Sequence, residues 1–364
     1  MTDDADLLEA QGHDRRRVLA ALVHGRPGGE EVALPRRLRS VVAGVVLAAL
    51  VLVGAFIASV VAPRDAVDWD GPSLVADTDS GALHLIDDDA PDGPVLRPVA
   101  NATSARLLAG DTSPQQVPGS VVAASPHGPP VGLPTAPPTV PPPGSLLPDG
   151  WTACTGRGQG VHLDITEVPA ARPVTADTGV VVDDGARRWL VATSRTYDGT
   201  TAARRHPVAA GTPVARAAAV EVDPGWVALF PVGGPAAGVE VRIPPTVPDG
   251  EVCAVMERSG EEGTSVALAI SPADRTAEPV APGEVAAYVA PGHGALVRAG
   301  SGPTQLVAET GRRHPVEEAA LERLGLAGER PAEVPAAWLG LLPEGVELST
   351  AAARCPLGRA PCRE

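Results

Sequence analysis

The chain of 364 residues contains no lysine, so all 29 of its basic side chains are arginines. A phosphate-cradling G-x-x-x-x-G-K-[ST] loop needs a lysine to reach the terminal phosphates, and that loop is therefore excluded. Aromatic residues are nearly as scarce, at 2%. A core made from this chain must rest largely on Val, Leu and Ala. No H-E-x-x-H, no G-x-S-x-G and no G-x-G-x-x-G after a strand is present. The eight histidines are scattered, with no pair at metal-ligand spacing. No catalytic, cofactor-binding or metal site is assigned on these grounds, and no cofactor is expected.

Against these absences stands one long apolar run, positions 41–62, reading VVAGVVLAALVLVGAFIASVVA. At about 1.5 Å per residue a helix of that length spans roughly 33 Å, enough to cross a hydrocarbon core about 30 Å thick. The run is read as a single transmembrane helix. A cleaved signal peptide would have a shorter apolar core, about 7–15 residues, and a shorter basic region. Arg36, Arg37 and Arg39 precede the run, whereas Arg64 is followed by Asp65, Asp68 and Asp70. Positive charge stays on the cytoplasmic side, so residues 1–40 should face the cytoplasm and the tail should lie outside. In that head, Leu7, Leu8, Val18, Leu19, Leu22 and Val23 with Arg15, Arg16 and Arg17 form an amphipathic pattern. It suits a helix docking on a membrane surface or partner, or a partly ordered segment.

The head carries seven acids and seven arginines. The net charge of −15 therefore belongs to the tail, with 22 arginines against 37 acids. Such a balance argues against a nucleic-acid partner. All four cysteines, Cys154, Cys253, Cys355 and Cys362, lie in the tail. An even count on the oxidising side of a membrane reads as two disulfides, with three pairings open. Cys355 and Cys362, near the terminus, could also remain free.

The tail divides by composition. Residues 63–112 hold a first repeat, and residues 113–150 are Pro-rich. Residues 151–364 hold further repeats. The stretch 114–148 carries 12 of the 40 prolines and reads as extended, polyproline-like chain. Three segments resemble one another: SLVADTDSGALHLIDD from Ser73, GVVVDDGARRWLVATS from Gly179, and GALVRAGSGPTQLVAE from Gly294. They are followed by Arg97-Pro98-Val99, His206-Pro207-Val208 and His314-Pro315-Val316. In each, two short apolar runs flank a turn, which reads as a hairpin. The second and third copies continue alike. Helix-like stretches at 214–220 and 317–326 lead to Trp226 and Trp338, and then to Pro231-Val232-Gly233 and Pro343-Glu344-Gly345. The fold class is α+β: one amino-terminal transmembrane helix, then repeated small strand-strand-helix modules around a β core.

Three local patterns carry a functional and a bland reading. Asp77-x-Asp79-x-Gly81 with Asp88 resembles a calcium loop. Gly at the fifth position and the missing closing Glu favour a hairpin turn. Arg205-His206 and Arg313-His314 occupy equivalent places in two repeats; a solvated basic turn at a strand end is favoured over a duplicated ligand site. Asn101-Ala102-Thr103 matches a glycosylation triplet, too short to mean much alone.

The order of these features resembles the EccB family, membrane components of the type VII (ESX) secretion system of actinobacteria. The likeness rests on Arg15–Leu22, Pro35-Arg36-Arg37 and the apolar run. It continues through Ser80–Ile86, Arg97–Val99 with Asn101–Leu108, Gly128–Pro134, Trp151–Cys154, Val289–Val297 and Arg313–Val316. The resemblance implies a structural core component of a secretion complex in the cell membrane, with its tail on the periplasmic side. Implied partners are an EccC-type ATPase, EccD and EccE, copies of itself and the membrane. It pairs Cys154 with Cys253, leaving Cys355 and Cys362 as an added pair; the chain departs from the family in being shorter, mainly between Cys154 and Cys253, where one module is expected to be reduced or lost. The alternatives are an extracytoplasmic ATP hydrolase, a label some members carry, or a cell-wall-binding module. The missing phosphate loop and acidic tail weigh against the first.

Overall fold

The computed structural model describes residues 66–156, 159–195, 201–244, 250–259, 263–271 and 279–357. It also describes residues 12, 15, 18, 19, 22, 46, 47, 49, 50 and 53, all of them helical. The chain divides into two units, Met1–Ala62 and Pro63–Glu364. Most of the apolar run 41–62 lies outside the described residues. Among those described, no helix is long and apolar enough to cross a membrane.

The second unit is built from three modules and a central sheet. Module 1 comprises β1 (Leu74–Asp77), β2 (Leu83–Asp87), β3 (Val95–Pro98), α1 (Ala102–Ala109), β4 (Gln115–Val117) and α2 (Gly119–Ala124). The central strands β5 (Trp151–Thr155), β6 (Val161–Ile165) and β7 (Arg172–Pro173) follow. Module 2 has β8 (Gly179–Asp183), β9 (Arg188–Arg195), β10 (Thr201–Pro207), β11 (Ala219–Glu221) and α3 (Pro224–Val227). Then come β12 (Val252–Ser259), β13 (Gly263–Ile270) and β14 (Val285–Val289). Module 3 has β15 (Ala295–Arg298), β16 (Gln305–Val307), β17 (Arg313–Pro315), α4 (Glu318–Arg323), β18 (Ala332–Glu333) and α5 (Ala336–Leu339); α6 (Thr350–Arg354) ends the fold.

All three modules share one strand order: β3-β2-β1-β4, β10-β9-β8-β11 and β17-β16-β15-β18. The first three strands form an antiparallel meander, and the fourth lies parallel to the first. The repeating unit is therefore richer than strand-strand-helix. The Arg/His-Pro-Val segment is itself a third strand, paired along β2, β9 or β16. A fourth strand follows the helix. These third and fourth strands are only two to seven residues long, and pairing across the sheet rather than local pattern decides them. In module 2 the expected helix at 214–220 is a single 3-10 turn, Val214–Arg216, followed by β11.

The central sheet has the order β14-β6-β5-β12-β13-β7. One of its faces presents Trp151, Ala153, Leu163, Ile165, Ala254, Met256 and Leu268 to modules 2 and 3 in one continuous core. The scarce aromatics concentrate there. Trp151, Trp226 and Trp338 are each fully buried, with Trp151 against Trp338 at 6.5 Å and Trp226 against Phe230 at 4.9 Å. The opposite face carries Cys154, Cys253, Val255 and Ala267 in a smaller cluster.

The Pro-rich stretch wraps the surface. It begins with β4 and α2, where Pro118 takes the N-cap position that needs no donor. Val131, Leu133, Ala136 and Val140 are then buried in the core that joins modules 1 and 3. Leu147 finally reaches Gly294 by a backbone hydrogen bond of 2.7 Å.

Candidate functional site

In each module the chain comes back along the third strand after its second helix, through a Pro-x-Gly tripeptide. The backbone N–H groups of Leu96, Arg205 and Arg313 donate to the carbonyls of Pro126, Pro231 and Pro343 at 2.8, 3.0 and 3.1 Å. Gly128, Gly233 and Gly345 donate back to the same three residues at 3.0, 2.7 and 2.8 Å. Module 1 thus has its own copy of the motif, Pro126-His127-Gly128, which lacks a preceding tryptophan to mark it in the sequence.

The next residue on each third strand completes a latch. Arg97 Nε donates to the Pro129 carbonyl at 2.9 Å. His206 Nδ1 lies 2.9 Å from the Gly234 carbonyl, and His314 Nδ1 lies 3.0 Å from the Val346 carbonyl. A carbonyl only accepts, so Nδ1 carries the proton in both rings. These histidines are buried, His314 fully, and not on solvated turns as the charge pattern suggested. Their rings lie on Gly233 and Gly345, where a methyl group would overlap them. Burial pushes the His314 pKa down, partly offset by its hydrogen bond. Its Nε2 is buried without a hydrogen-bond partner among the described residues. The neighbouring arginines are structural too. Arg205 stacks over Trp189 at 5.1 Å, and Arg313 reaches the Leu342 carbonyl, Gln305 and Glu344, each at 3.1 Å.

The other singled-out residues also serve the fold. Asp77 accepts from the N–H groups of Asp79 and Ser80 and from the Ser80 hydroxyl, while Asp79 accepts from Gly119 N–H. The Ser80 hydroxyl, first of these, holds the Asp77 pKa below its usual value. This is a hairpin turn tied to α2, and no group of side chains among the described residues is arranged to hold a metal ion. Asn101 caps α1 by accepting from Ser104 N–H, and its amide donates to the Leu133 carbonyl.

Cys154 and Cys253 face each other across β5 and β12 and form a disulfide with both residues fully buried. Cys355 is also disulfide-bonded, and the expected partner, Cys362, lies outside the described residues.

Among the described residues, two clefts stand out. One, of about 340 Å³, is lined by Arg106, Pro141, Pro142, His293 and Glu309 among others. The larger, about 530 Å³, is lined by Asp183, Asp184, Glu221 and Asp223. Three of these four carboxylates are engaged: Asp183 with Arg188, Asp184 with the Trp189 indole, and Asp223 with the N–H groups of Gly225 and Gly283. A cleft so lined repels phosphate.

The repeated latches, the shared cores and the three like sheets define a modular fold whose buried polar groups hold strands together. The family model described as "Type VII secretion system ESX-1, transport TM domain B" matches residues 8–248 and 244–359, and the chain belongs to this EccB family. The fold is similar to a chain in "Structure of an intact ESX-5 inner membrane complex, Composite C3 model". That match has 21% identity and a TM-score of 0.57, over 99% of this chain and 96% of the other. It is also similar to a chain in "Structure of the periplasmic assembly from the ESX-5 inner membrane complex, C1 model". There identity is 20% and the TM-score 0.58, over 81% of this chain and 98% of the other. No curated protein matches the chain.

Proposed function

We propose that the protein is a structural core component of a type VII secretion membrane complex and supports export across the cytoplasmic membrane. Family membership over both matched segments carries this reading. The ectodomain supports it. His206 and His314 are spent on strand latches, and Asp77, Asp79, Asp184 and Asp223 on turns and local hydrogen bonds, so what it presents outward is a set of modules. Both similar solved structures come from ESX-5 inner-membrane assemblies, one of them described as periplasmic.

The apolar run 41–62 would cross the membrane once, with residues 1–40 in the cytoplasm and the modules on the periplasmic side. The arginines before the run, the acids after it and the buried disulfide support that orientation. The complex would include an EccC-type ATPase, EccD, EccE and further copies of this chain. Deleting the gene and assaying culture filtrate for small helical substrates tests the role. Export should stop and return when the gene is restored. Undiminished export in the deletion strain would sink the proposal.

A further inference from the structure

Modules 1 and 3 meet through equivalent helices, α1 and α4. Each helix ends with carbonyls that lack an intrahelical partner. Arg323, in the last turn of α4, donates to the Leu107 and Leu108 carbonyls of α1 at 3.4 and 3.1 Å. Arg106, in the last turn of α1, donates to the Leu324 carbonyl beyond α4 at 3.4 Å. The two arginines occupy the same place in the repeat, seven residues after Val99 and Val316. Each therefore caps the other's helix, a reciprocal arrangement that suits both helix dipoles. Between the caps lie Leu107, Leu108, Leu321 and Leu324.

The carboxyl-terminal segment closes over this seam. Thr350 donates its hydroxyl to the Leu107 carbonyl at 3.3 Å, and Leu357 N–H donates to the Pro130 carbonyl at 3.0 Å. Val131, Leu133, Ala136 and Val140 of the Pro-rich segment share the core of this seam, but module 1 also has a core of its own. Its inner core of Val67, Val75, Ile86, Leu96, Val117 and Val122 is separate from the large core of the central sheet. The Pro-rich segment is its covalent link to β5.

We propose that this seam is a conformational clasp. It opens as one unit, so that module 1 parts from module 3 while the central sheet and modules 2 and 3 stay folded. Sub-global opening of this kind appears in amide exchange as a contiguous block with its own rate. The test compares the full-length protein in detergent with the R106A/R323A variant by hydrogen-exchange mass spectrometry. Peptides covering residues 103–110 and 350–357 should exchange about tenfold faster or more, and those covering β5, β12 and β13 should not change. Equal acceleration in the central strands would overturn the clasp, and so would no acceleration at the seam. Thr350→Val removes a single cap and is read in the same way. It keeps the proposal open to refutation if the double variant does not fold.

Discussion

A histidine before proline at a strand end looks like a surface feature, because histidine is polar and the neighbouring residues are arginines. Its actual setting at 314 is an apolar interior with one carbonyl to serve. Burial lowers its pKa, so the unfolded chain, with a value of about 6.5, takes up a proton first as pH falls. Stability owed to the neutral ring is complete above about pH 6.5 and is lost as pH falls through the lower folded value. His84 acts in the same direction, through burial first and then the His127 charge. Glu257 acts oppositely, because burial raises its pKa. Thermal melts of the detergent-solubilised protein between pH 7.5 and 5.5 should therefore show a falling midpoint. His314→Gln, which keeps a donor for the Val346 carbonyl, should remove part of that slope. An unchanged slope would mean the ring is not neutral in the fold. The glycine beneath it is equally constrained: Gly345→Ala places a methyl against a fully buried ring and should cost about 1–3 kcal/mol in chemical denaturation.

At the level of elements, the hairpins of each repeat were legible because two apolar runs bracket a Gly- and Asp-rich or Ser-rich turn. The third strand was not, since Arg-Arg-His-Pro has no apolar alternation. Its partner strand and the returning Pro-x-Gly supply the missing reason. The helix of module 2 failed for the converse reason: 214–220 is Ala- and Val-rich, yet sheet pairing takes Ala219–Glu221 into β11. The family resemblance placed the disulfide, which composition alone left open among three pairings. Two elements give sharp tests. Trp226 donates its indole N–H to the Ala153 carbonyl at 2.8 Å, whereas the equivalent Trp338 nitrogen is buried without a partner among the described residues. Trp226→Phe should therefore cost about 1–3 kcal/mol more than Trp338→Phe. Equal costs would show that the hydrogen bond contributes nothing net. The disulfide joins residues 99 apart in sequence, so replacing both cysteines by alanine should lower stability by up to about 4–5 kcal/mol in the chain-entropy model.

For the molecule as a whole, the asymmetry of charge and cysteine makes the strongest physical case for how it is disposed. The head is neutral overall, the tail carries the entire net charge of −15, and every cysteine is in the tail. A buried, strand-bridging disulfide is stable only where the compartment does not reduce it, which favours the periplasmic side. The three arginines just before residue 41 favour the same orientation, since cytoplasmic flanks keep Lys and Arg. Topology reporters separate this from its inverse. Alkaline phosphatase, active only where its own disulfides form, should be active when fused after Glu364 and inactive when fused after Arg39. Replacing Arg36, Arg37 and Arg39 together by glutamate should lower the carboxyl-terminal activity several-fold, because the orienting charge is removed while the apolar run is untouched. No activity at Glu364 with the fusion intact in the membrane would put the modules in the cytoplasm. The latches would remain as structure, but the assembly role outside the membrane would fall.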